Sequence, residues 1–219
     1  MNAIIGFSEL MQRELFGSLG SSHYKSYAGD INKSGTHLLA LVDDILDLSR
    51  IEAGTQDLKE GLVSLRDEIN AAINLLQIQA EQKHIVCLIE GPLAVPMIRA
   101  DARKVRQIFI NLINNAIKFS IEEATVRVRI RIGEDGVSAE VIDTGTGMKA
   151  EDIQLALTPF GRAERMNPRE KTGVGIGLPL SAALMQLHGG KLTIESDLGK
   201  GTCVRVWFPA ERVLSEPTH

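Results

Sequence analysis

Apolar side chains recur along the first fifty residues at helical spacing. Ile4, Phe7, Met11 and Leu15 form one stripe across residues 1–16, with no capping residue ahead of it, so the helix looks cut at its front end. The turn-rich stretch Phe16 to Ser22 predicts a fold-back. From Tyr24 to Leu48 the positions Tyr24, Tyr27, Ile31, Leu38, Leu41, Ile45 and Leu48 follow heptad spacing, interrupted at Ser34 and widened by Leu39, Val42 and Leu46. An antiparallel helical hairpin cannot bury so wide a stripe against itself. A second copy completing a dimeric four-helix bundle is therefore expected.

The pattern changes at residues 54–61, where glycine and polar residues predict a linker. Ser64 can then cap a helix carrying Leu65, Ile69, Ile73 and Leu76. Farther on, Val126, Val128, Ile130 and Ile132 alternate with Arg127, Arg129 and Arg131, the period of a half-buried strand whose arginines face solvent. Residues 137–142 and 202–208 read as strands as well, and helices are expected at 64–82, 101–118 and 177–188. The result is an α+β chain: hairpin 1–53, linker 54–61, a domain over 62–210 with helices on one face of a mixed sheet, and a flexible tail 211–219.

Composition changes this picture little. Hydrophobic residues at 44% suffice for a core, and a net charge of −4 gives no basic excess to draw the chain to nucleic acid. Cys87 and Cys203 are too few and too distant for a disulfide framework, which fits a reducing, cytoplasmic setting. No apolar run of about 18 residues occurs, so any membrane attachment would come from parts not present here.

Three motifs in the second domain carry candidate chemistry. In NLINNAIKFS at 111–120, Asn111 and Asn115 share a helix face. Amide oxygens there suit a largely hydrated Mg²⁺ held through nucleotide phosphates, and Lys118 offers those phosphates a cation. In DTGTGM at 143–148 the Asp143 carboxylate follows a strand and could accept from an exocyclic adenine amine above a glycine turn. In GVGIGL at 173–178 a glycine loop opens a helix, an arrangement that cradles phosphate. A dinucleotide-binding reading of that string fails, because a loop and not a strand precedes it.

Together and in this order, the three motifs resemble the N, G1 and G2 boxes of bacterial sensor histidine kinases, the histidine kinase branch of the GHKL ATPases. PFG at 159–161, HGG at 188–190, Ser196 and GKGT at 199–202 extend the likeness, and NAIIGFSEL at 2–10 resembles the segment after the family's H box. The family's acceptor histidine with its acidic neighbour has no counterpart here; His37 and His188 match ordinary non-acceptor positions.

The resemblance implies an α/β sandwich of the GHKL (Bergerat) type that binds ATP and Mg²⁺. Asn115 would help hold the metal, Asn111 and Lys118 would support the phosphates, and Asp143 would read adenine in a pocket shaped by Gly145 and Gly147. Phe160, Leu178 and Thr202 would complete the ATP site. Residues Gly161 to Thr172 would form a mobile lid, with Gly173, Gly175 and Gly177 as its hinge beside the phosphates. The implied partners are a second copy, through residues 1–53, and a response regulator receiver domain. The implied reaction moves the γ-phosphoryl to a histidine outside this chain and then to a regulator aspartate. A non-catalytic GHKL scaffold acting through its bundle is the alternative, against which intact Asn115, Asp143 and Gly175 argue. An ATP-hydrolysing relative would want a carboxylate where Asn111 stands.

Overall fold

The computed structural model describes residues 1–161 and 175–214, which divide into two compact units, one ending at Ser49 and one beginning at Arg50. In the first unit α1 (Asn2–Gln12) is followed by one unbroken α2 (Ser22–Glu52). The helices meet through small and polar side chains: Ser8 and Ala28 are buried, and Asn32 Nδ2 donates to Ile5 O at 3.0 Å and Ser8 Oγ at 3.1 Å. Most of the apolar stripe stays exposed within one chain, with Phe7 at 64%, Tyr24 at 61% and Leu38 at 50%, so the hairpin leaves it unburied. No helix among the described residues is long and apolar enough to cross a membrane.

The second unit runs β1 (Gly61–Val63), α3 (Leu65–Gln82), β2 (Val86–Glu90), β3 (Ile98–Ala100), α4 (Ala102–Phe119), β4 (Thr125–Gly133), β5 (Gly136–Ile142), α5 (Ala150–Ala156), α6 (Gly177–Leu187), β6 (Lys191–Asp197) and β7 (Gly201–Pro209). Five strands make a mixed sheet in the order β2-β4-β5-β7-β6, parallel only between β2 and β4, while β1 and β3 pair apart from it. One sheet face supplies Val128, Ile130, Val137, Ala139, Val206 and Phe208 to the core. Ile69, Leu76, Ile108, Phe109, Leu112, Leu180 and Leu184 of α3, α4 and α6 close over it. Ser64 caps α3 by accepting from Asp67 N, as its position predicts.

Three features differ from the sequence reading. Strands β1, β2, β3 and β6 and helix α5 were not anticipated; β1, β2 and β3 are too short to show a clear period. The arginine face of β4 is not simply solvated, because Glu90 of β2 and Glu140 of β5 stand beside it. Arg129 Nε lies 3.0 Å from Glu90, and Arg131 and Arg205 lie 3.2 and 2.7 Å from Glu140, whose side chain is only 3% exposed. Residues 211–214, within the expected flexible tail, are held: Ala210–Arg212 forms a 3-10 turn, Val213 bridges to Ile98, and Arg212 pairs with Glu60.

Candidate functional site

The motif residues converge at one end of the helical layer. Helix α4 starts at Asp101, whose Oδ1 accepts from Arg103 N and Lys104 N, and ends where the Lys83 ammonium donates to Lys118 O at 2.6 Å and Ile117 O at 3.1 Å. Both ends are therefore fixed, and Asn111 and Asn115 ride between them. Asn111 Nδ2 donates to Gly177 O at 3.3 Å, which ties α4 to the first turn of α6. The Asn115 side chain has no hydrogen bond among the described residues. Lys118 places its ammonium 4.6 Å from the centre of the Phe119 ring.

Asp143 leaves β5 and is only 9% exposed. Its Oδ1 accepts from Gly145 N at 2.8 Å and Thr202 N at 3.2 Å, while Oδ2 takes no hydrogen bond from a described residue. Burial pushes this carboxyl above the usual 3.8, against the opposing pull of the two backbone N–H groups. One oxygen is thus fixed by the backbone and the other remains an acceptor. The turn that follows is packed backbone to backbone. Gly147 has φ +63°, and a Cβ there would meet the Asp197 carbonyl; a Cβ on Gly145 would meet the Phe119 carbonyl at the end of α4. The β6–β7 turn closes the other side: Gly199 N donates to Thr146 O at 2.7 Å, and Ser196 Oγ accepts from Met148 N at 2.8 Å and contacts Thr202 Oγ1 at 3.0 Å.

The glycine-rich start of α6 stands against Asn111, and Phe160 N donates to Gly175 O at 3.2 Å. Phe160 itself is 57% exposed. Leu178 follows in the first turn of α6. Gly173 and most of the expected lid, residues 162–174, lie outside the described residues.

This arrangement combines an acceptor carboxylate at a strand exit, amides on one helix and a glycine-started helix beside them. The family model described as "Histidine kinase-, DNA gyrase B-, and HSP90-like ATPase" matches residues 100–212, and the "His Kinase A (phospho-acceptor) domain" matches residues 1–54. The chain belongs to the histidine kinases of this ATPase family. Cell-division control histidine kinase PdhS of Brucella suis is 40% identical over 225 residues, covering 99% of this chain and 22% of its own length. The Brucella abortus protein of that name matches equally. The chain thus spans about a fifth of these relatives.

Among solved structures, full-length ShkA in complex with AMPPNP superposes with a TM-score of 0.78 at 26% identity, over 95% of this chain and 43% of that one. Acinetobacter baumannii histidine kinase AdeS, at 16% identity, shares the fold with a TM-score of 0.69 over 95% of both chains. Nucleotide binding belongs to the ATPase domain of this family.

Several residues that build this candidate site were not singled out from the sequence. Lys83 caps α4 from the end of α3, Asp101 opens α4, and Ser181 contributes its Oγ 3.5 Å from Asn111 Nδ2. Only Asp101 had a local signal, as an acidic residue directly before an apolar-periodic helix. Lys83 and Ser181 act across the fold and had none.

Proposed function

We propose that this chain is the ATP-binding catalytic core of a two-component sensor histidine kinase. The observation that carries the reading is the split role of Asp143: Oδ1 is consumed by Gly145 N and Thr202 N, leaving Oδ2 to accept from the amine of adenine. Gly145 and Gly147, each packed against a neighbouring backbone carbonyl where a Cβ would clash, would let the backbone pass close beneath the base. Asn115, with an uncommitted side chain one turn beyond Asn111, is the residue that would meet a nucleotide-bound Mg²⁺, and its neutral oxygen suits a hard, mostly hydrated ion. When bound, that ion would neutralise phosphate charge. Lys118 would add a cation, and the start of α6 at Gly175 and Gly177 would offer backbone N–H groups to the phosphates. Phe160 and Thr202 would border the same pocket.

The chain's own work in phosphoryl transfer would be positioning and charge neutralisation, with no covalent step on the protein's side of the nucleotide. The acceptor would be a histidine outside these 219 residues, and the phosphoryl would pass onward to an aspartate of a response regulator receiver domain. The exposed stripe of Phe7, Tyr24, Tyr27 and Leu38 supports pairing with a second copy through α1 and α2, over the proposed hairpin 1–53. The ATP-binding domain would occupy 62–210 behind the linker 54–61, in a cytoplasmic protein.

Calorimetric titration with Mg²⁺-ATP tests the reading. Asn115→Ala and Asp143→Ala, each still folded by circular dichroism, should weaken binding at least about tenfold, or 1.4 kcal/mol. A folded parent that binds no nucleotide ends the proposal.

A further inference from the structure

His188 is fully buried, at 0% exposure, yet it lies at the far end of α6 from the glycines and no phosphate chemistry explains it. Its two ring nitrogens are satisfied by two fixed backbone groups. Nδ1 lies 2.8 Å from Leu184 O, a carbonyl that can only accept, so Nδ1 carries the proton. Nε2 lies 3.1 Å from Asp101 N, an N–H that can only donate, so Nε2 is the acceptor. The imidazole is therefore neutral and in one tautomer, in keeping with burial, which holds its pKa below 6.5.

The two bonds join different elements. Leu184 belongs to the last turns of α6, whereas Asp101 is the N-cap of α4. These helices pack antiparallel, and they are pinned a second time where Asn111 Nδ2 donates to Gly177 O. Ten residues of helix separate the two pins along α4, about 15 Å. Asp101 also holds the linker, since its Oδ2 accepts from Lys59 N at 2.9 Å. Phe208 of β7 meets the imidazole edge to face, with ring centres 6.1 Å apart, and fixes its plane. One pin leaves a helix pair free to pivot; two pins define its register.

We propose that His188 is a positioning residue for the nucleotide site: its bond to Asp101 N locks the register of α6 on α4 and so sets where Gly175 and Gly177 stand relative to Asn115. The inference rests on the ATP-site reading above and deepens it by assigning a remote group that holds its two halves together. Rigid helices transmit a shift at one end to the other, and misplacement of about 1 Å at a phosphate-binding turn is enough to weaken several hydrogen bonds at once.

Two substitutions separate the two bonds. His188→Gln puts an acceptor near the place of Nε2, so the bond from Asp101 N survives while the cap on Leu184 O is lost. His188→Asn puts a donor near the place of Nδ1, so the cap survives while the link to α4 is lost. Both remove the ring and its contact with Phe208, so both cost stability.

The full chain and both variants are titrated with Mg²⁺-ATP at a temperature where all are folded by Trp207 fluorescence. His188→Gln should recover most of the parent's affinity, and His188→Asn should bind roughly tenfold more weakly than His188→Gln. Equal affinities for the two folded variants would overturn the proposal, because a role confined to stability leaves the folded fraction binding alike. If His188→Asn does not fold, His188→Leu with stabilising osmolyte replaces it as the variant lacking the link, under the same criterion. A parent that binds no nucleotide would remove the ATP-site reading itself, an outcome distinct from a binding parent with indifferent variants.

Discussion

Lys83→Met is the perturbation whose consequence can be worked most directly from the structure. Methionine approximates the unbranched four-atom stem of lysine and removes the ammonium. In the parent that ammonium donates to Lys118 O at 2.6 Å and Ile117 O at 3.1 Å, with Ser120 O at the outer limit of 3.5 Å. These carbonyls belong to the end of α4, where the last turn has no intrahelical partners and the helix dipole presents partial negative charge.

A hydrogen bond from a charged donor contributes about 1.5–3 kcal/mol, and a cation at a helix C-terminus about 0.3–1 kcal/mol. Lys83 is half-buried, so water can replace part of this, and a net loss of about 2 kcal/mol is expected. For a domain of this size that lowers Tm by roughly 4–8 °C. Trp207, the only tryptophan, lies in β7 of the same unit, so urea and thermal unfolding followed by its fluorescence report on this domain alone. A loss below about 0.5 kcal/mol, the ordinary range for surface substitutions, would refute the capping argument. Because the Phe119 carbonyl at the same helix end abuts Gly145, nucleotide affinity should fall in the variant as well.

Two further outcomes follow from the sheet and the Asp143 turn. Burial alone would raise the Glu140 carboxyl, but bonds from Arg205 and Arg131 outweigh it and hold the pKa below 4.5. The unfolded state therefore binds the proton more readily, so this stabilisation is present above about pH 4.5 and is lost as pH falls through the depressed folded value. Glu140→Gln should cost about 1–3 kcal/mol in urea at pH 7, the gap to the parent shrinking in acid; a gap unchanged down to pH 3 would contradict the ion-pair account. Gly147→Ala forces a side chain into φ +63° and against the Asp197 carbonyl, so it should abolish measurable Mg²⁺-ATP binding and lower Tm. Wild-type affinity in that variant would show that the turn is free to rearrange.

Local signals carried much of this protein. Ser64 and Asp101 announce α3 and α4 because a cap acts within three residues of itself, and the alternation at 125–132 announces β4 because a half-buried strand repeats every second residue. The Asp143 turn and the asparagine helix were legible as local structure for the same reason: each is specified within a short run of consecutive positions. Strand β2, in the short apolar run at 85–89, was not legible, because a run that brief fits a helix or a strand and only its pairing with β4 decides. What required the tertiary structure is every relation between distant groups. Asp101 and His188 stand 87 positions apart, Lys83 and Lys118 35, Glu140 and Arg205 65. A side chain's hydrogen-bonding capacity is a local property, but its partner is chosen by packing, and packing is determined by the whole core at once.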